Sequence, residues 1–114
     1  MGKSNWSDKR DANEKEIIDW LREQGCRVIQ MPRGAGYDLQ VFAPGGYVFP
    51  PIEVKNPRYR WEYEPAEMAL LVWCHDNNLD YLTVQSVEGM QNEFNELARA
   101  AWMSTILEDG KENG

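Results

Sequence analysis

Apolar residues recur along this chain with two different periods. Ile17, Ile18 and Leu21 share one helical face, residues 11–14 offer an N-cap, and Gly25 is placed to stop the turn, so the pattern predicts a first helix over about 12–24. Residues 26–31 then read as a strand, ended by Pro32 and the Gly34-Ala35-Gly36 turn. A second strand runs from Asp38 to Ala43, and the Pro44-Gly45-Gly46 turn leads to a third from Tyr47 to Lys55. Pro50 and Pro51 interrupt that third strand, because proline cannot donate to the ladder, so regular pairing is expected over 52–55.

Helical spacing returns after a loop. Pro65 suits a first turn, and Met68, Leu71, Val72 and Leu79 follow a helical period that closes near Asn77-Asn78. Residues 81–85 form a fourth strand, and from Val87 onward Met90, Phe94, Leu97, Ala98, Ala101 and Trp102 return to one helical stripe. The order α-β-β-β-α-β-α predicts one α/β (α+β) domain over 11–107, a mixed sheet flanked by helices, with flexible tails at 1–10 and 108–114. Phe94, Leu97, Trp102, Met103 and Ile106 leave the last helix with two readings, a homodimer interface or packing within the chain.

Composition narrows the class. At 114 residues with 42% apolar side chains, the chain can build a single core. No run approaches ~18 apolar residues and the N-terminus lacks an apolar signal region, which predicts a soluble, cytoplasmic protein with no membrane partner. Cys26 and Cys74 lack metal-ligand spacing and read as buried hydrophobes. His75, the sole histidine, lies near a helix end without the companions that zinc sites or nucleophilic triads need.

Charge is distributed unevenly. Residues 1–60 carry 10 Lys/Arg against 8 Asp/Glu, whereas residues 61–114 carry 2 against 11, so the net charge of −7 does not exclude nucleic acid at the basic end. Arg33, Arg58 and Arg60 lie near the most unusual feature of the chain, Asp38, Glu53 and Lys55 at the ends of short apolar strands. Carboxylates and lysine are depleted inside sheets and seldom buried without a partner. One Asp and one Glu, helped by the Val54 carbonyl, suit Mg²⁺ or Mn²⁺, hard ions that take oxygen ligands and keep several waters. Glu53 and Lys55 share a strand face, which brings an ammonium toward a phosphate at the metal. Glu14 falls on the apolar side of the first helix, either as a further acid near that site or as a first-turn partner of the helix dipole. This constellation predicts phosphodiester hydrolysis without a covalent intermediate.

The pattern Glu14, Gly36-Tyr37-Asp38, Glu53-Val54-Lys55, on helix, strand and strand, resembles the PD-(D/E)xK nuclease superfamily. More narrowly it is similar to the small stand-alone VRR-NUC and Holliday-junction-resolvase-like members often encoded by phages. The resemblance covers about residues 11–88. It implies a restriction-endonuclease-like αβββαβ core, Asp38 and Glu53 as metal ligands, Lys55 as the catalytic lysine, and Glu14 near the metal. It further implies a Mg²⁺- or Mn²⁺-dependent DNA endonuclease acting on branched DNA. Tyr37 stands where the family often has Pro, and Glu67 where many members carry Gln. Glu67 is either an exposed helix acid or a group reaching the metal's water shell. Tyr59 and Trp61, interleaved with Arg58 and Arg60, either stack on an unpaired base or pin their loop against the second helix. The alternative to an enzyme is an inactive nuclease-fold module that binds nucleic acid or a basic protein.

Overall fold

The computed structural model describes residues 2–113, with side chains described over 12–100. Helix α1 spans Gly2–Glu23. It is followed by strands β1 (Arg27–Gln30), β2 (Leu39–Ala43), β3 (Tyr47–Val48) and β4 (Ile52–Val54). Helix α2 (Pro65–Asp76), strand β5 (Leu82–Val84) and helix α3 (Val87–Asn113) complete the order. The result is the expected α+β domain, with three helices and one mixed five-stranded sheet over the described residues.

The sheet runs β1-β2-β4-β5, with β3 paired to β2 outside that path. Pairing is antiparallel from β1 through β2 to β4 and parallel between β4 and β5, the connection that requires the α2 crossover. Pro50 and Pro51 divide the expected third strand into β3 and β4. β2 and β4 share a single register pair, Leu39 with Ile52. The ladder opens there because the Asp38 side chain takes the place of a backbone acceptor, as described below.

The core lies on one face of the sheet. Ile17, Ile18 and Leu21 of α1 pack with Val28, Leu39, Val41, Ile52, Val54 and Val84, closed by Met90 of α3. Trp20 meets Phe94 edge-on with ring centroids 5.5 Å apart, and Phe94 stacks on Phe49 at 5.7 Å, which ties α1, α3 and the chain after β3 together. Gly25, at φ +87°, ends α1 as its position predicted, and the Cys26 N–H closes back on the Leu21 carbonyl. Cys26 and Cys74 are buried free thiols, and His75 is exposed at the end of α2.

Two expectations need correction. First, α1 begins well ahead of the cap signal at Asp11, there being no proline in residues 2–10 to stop a helix extending backward, and α3 likewise continues past Leu107. Glu14 is therefore not a first-turn acid. Second, the apolar period of α2 does not mark its buried face. Met68, Val72 and Leu79 are exposed, Leu71 is half-buried, and the helix buries Glu67 and Cys74. Turning Glu67 inward swings Met68, one residue and about 100° further on, toward solvent. Of the two readings of the last helix, Phe94 and Leu97 show packing within the chain, being partly buried against its core. Trp102, Met103 and Ile106 lie outside the described side chains.

Candidate functional site

Asp38, Glu53 and Lys55 converge on the sheet face opposite the core, at the β2–β4 opening. The Asp38 N–H donates to the Ile52 carbonyl at 2.9 Å, and the Val54 N–H donates to Asp38 Oδ2 at 2.8 Å. A carboxylate thus replaces one rung of the ladder and is held beside β4. Alternation along β4 sends Ile52 and Val54 into the core and Glu53 to the other side. Val54 can offer the site only its backbone.

Glu53 is fully buried, and neither of its carboxylate oxygens has a hydrogen-bond partner among the described residues. Lys55 Nζ stands 3.0 Å from Glu53 Oε2, an ion contact by distance that lies off the line of a hydrogen bond. The ammonium spends its hydrogen bonds elsewhere, on Glu67 Oε1 at 2.7 Å and the Glu62 carbonyl at 3.2 Å. The rings of Trp61 and Tyr63 cover it, with centroids 5.7 and 5.6 Å from Nζ.

Glu67 is the largest addition to the sequence reading. It is 7% exposed, so the exposed-acid reading is wrong. It occupies the third position of α2, where its Oε1 also accepts the Glu64 N–H at 2.9 Å, and one side chain both caps the helix and holds Lys55. Its position three residues after Glu64 and two after Pro65 is the signal that could have marked it as a cap, whereas its pairing with Lys55, 12 residues away, leaves no local signal.

The electrostatics follow from this crowding. Burial, the Glu67 carboxyl beside it and the charge on Asp38 push the Glu53 carboxyl up to about 9, against the opposing pull of Lys55. Burial alone would lower the Lys55 ammonium, but Glu67 and Glu53 outweigh it and hold it above the ordinary lysine range. Burial likewise works to raise Glu67, and the Glu53 carboxyl beside it together with the hydrogen bonds from Lys55 and the Glu64 N–H bring it below the usual carboxylate range. Lys55 and Glu67 are thus shifted toward their charged forms, and Glu53 toward its protonated form.

Two further residues that sequence reasoning missed build this geometry. Tyr81 donates its hydroxyl to the Gly36 carbonyl at 2.7 Å, and burial together with the charges of Glu53, Glu67 and Asp38 pushes its phenol up, keeping it a donor. Gly36 itself is at φ +91°, and a Cβ there would stand 2.8 Å from the Ala66 carbonyl oxygen. The turn leading to Asp38 therefore lies directly against the first turn of α2. Asn13 Nδ2 donates to the Lys55 carbonyl at 3.0 Å, docking the Asn13–Glu14 turn of α1 against the end of β4, and Glu14 is half-buried there.

Arg33, Arg58 and Arg60 are exposed, and no ion pair among the described residues engages them. Arg58 caps a turn through its N–H to Asn56 Oδ1, and Tyr59, half-buried, closes the same turn on the Asn56 carbonyl. Trp61 remains 36% exposed while meeting Tyr63 edge-on at 5.4 Å.

Among the described residues no group of three or more His, Cys, Asp or Glu side chains is arranged to hold a metal ion. Mg²⁺ asks for less, since it is commonly bound through one or two carboxylates with water completing its shell. Asp38 and Glu53 meet that requirement in kind, and the orphaned oxygens of Glu53 are acceptors a cation would satisfy. No described helix is long and apolar enough to cross a membrane. Comparison with family models, curated proteins and solved structures finds no match to this chain.

Proposed function

We propose that this chain is a divalent-metal-dependent endonuclease hydrolysing phosphodiester bonds in DNA, with selectivity for branched substrates. The observation that carries the reading is Glu53, a carboxylate fully buried with no hydrogen-bond partner among the described residues, placed beside Asp38 and Lys55. Leaving buried carboxylate oxygens without hydrogen bonds is costly, and a divalent cation would remove that cost.

Asp38, Glu53 and the Val54 carbonyl are the groups that would hold Mg²⁺ or Mn²⁺, with Glu14 nearby on α1. Bound there, such an ion would supply an activated water at neutral pH and positive charge for a phosphate. Lys55 supplies a positive charge toward the phosphate oxygens as charge gathers there. Glu67 and Glu62 orient the ammonium, and Tyr81 holds the backbone that presents Asp38. Arg33, Arg58 and Arg60 provide phosphate contacts alongside, and Trp61 a stacking surface. A second reading, an inactive nucleic-acid-binding module on the same fold, draws on one observation: Lys55 is 5% exposed and already engaged.

Cleavage of labelled linear duplex, flap and four-way-junction DNA with Mg²⁺, Mn²⁺ or EDTA separates the two. Metal-dependent cleavage lost in Asp38→Asn and reduced ~10²–10³-fold in Lys55→Ala is expected of the enzyme. Binding to the same DNAs with no cleavage under any metal favours the inactive module.

A further inference from the structure

We propose that Trp61 and Glu62 form a latch over Lys55, opened when an unpaired base stacks on Trp61; this rests on the reading of Lys55 as the amine that meets phosphate. Two acceptors hold the ammonium, Glu67 Oε1 at 2.7 Å and the Glu62 carbonyl at 3.2 Å, and a third, Glu53 Oε2, stands 3.0 Å away. Lys55 is 5% exposed among these neighbours, so a phosphate oxygen reaches Nζ only when one of them moves aside. Glu67 is fixed by the Glu64 N–H at the start of α2, and Glu53 sits within β4. The Glu62 carbonyl makes the longest of the three contacts and belongs to a loop, which makes it the one to yield.

The neighbouring aromatics define how it yields. Tyr63 is anchored, its hydroxyl 2.8 Å from Thr83 Oγ1 on β5 and its ring against Tyr81. Trp61 has no hydrogen bond among the described residues and keeps an exposed surface, flanked by the exposed Arg58 and Arg60. Tyr63 is thus the hinge, and Trp61 with Glu62 the moving part. Aromatic surface beside cations is what an unpaired nucleotide recognises, its phosphate on the arginines and its base on the ring, whereas a base inside a duplex has both faces occupied. Stacking that draws Trp61 outward carries the Glu62 carbonyl with it, breaks its hydrogen bond to Lys55 and uncovers Nζ.

The test combines two measurements on the full chain in EDTA. Reductive methylation, followed residue by residue by mass spectrometry, reads the accessibility of Lys55 against the exposed Lys15. Fluorescence anisotropy reads binding to oligothymidylate and to a blunt duplex. In the wild type Lys55 should label far more slowly than Lys15. Trp61→Ala should raise the Lys55 rate severalfold and weaken oligothymidylate binding about 5- to 150-fold with little change for duplex, while Trp61→Phe, which keeps a ring, should preserve both properties. Fast Lys55 labelling in the wild type, an unchanged rate in Trp61→Ala, or equal weakening on both DNA forms overturns the latch. Absence of cleavage on every substrate, with these labelling and binding differences intact, counts against the nuclease reading and still supports the latch.

Discussion

At the scale of single residues, Glu53 decides how this site behaves. Its carboxyl is raised from an ordinary 4.5 to about 9, so the folded protein favours the protonated form more than the unfolded chain does. The sign follows from linkage: that contribution to stability is complete below about 4.5 and is lost as pH rises toward about 9. We therefore expect the thermal midpoint of the wild type in EDTA to fall between these limits, and Glu53→Gln, which keeps the shape without the titration, to show a flatter profile and a higher midpoint at the alkaline end. Identical slopes in the two proteins mean that Glu53 is not the group titrating. Glu67 and Lys55 form the opposite case, a buried charged pair, and truncating Glu67 to Ala should cost about 3–5 kcal/mol in denaturant titrations because it strips Lys55 of its best partner. A loss well below that range means Glu53 has ionised and taken over the pairing.

At the scale of elements, the site depends on how closely the Asp38 turn approaches α2. Gly36 allows it, being in the left-handed region with the Ala66 carbonyl where a Cβ would be. Gly36→Ala should lower stability by about 1–3 kcal/mol from backbone strain alone, and it should weaken metal-dependent stabilisation as well, because the turn that presents Asp38 must shift. Stability lost with metal response unchanged would place the strain away from Asp38. The same elements show what the chain reveals before it is folded. Prolines 50 and 51, Gly25 and the alternating strands marked their boundaries because those signals are local. The α2 face was misread because a helical period reports where apolar residues lie, not which side a buried ion pair claims, and Glu67 outweighed Met68 and Val72. Asn13 and Tyr81 were silent because their partners lie 42 and 45 residues away in sequence. Asp38, Glu53 and Lys55 could be picked out because charge at the ends of apolar strands is itself anomalous.

At the scale of the whole molecule, the charge asymmetry becomes a testable orientation. Arg33 lies in the loop before β2 and Arg58 and Arg60 in the loop after β4, while most acidic residues lie in the second half of the chain. Affinity for duplex DNA should fall with salt, and removing Arg33, Arg58 or Arg60 singly should reduce the log–log slope by about 0.9 each. An unchanged slope removes that arginine from the phosphate contacts.

The central claim is that Asp38 and Glu53 together form a cation site, and calorimetric titration of Mg²⁺ and Mn²⁺ into the protein at neutral pH tests it most directly. Saturable binding accompanied by proton release is expected, since the raised Glu53 carboxyl must ionise to accept the ion. That binding should be lost in Asp38→Asn and in Glu53→Gln, each still folded. Undiminished binding in both variants, or no binding by the wild type, would contradict it.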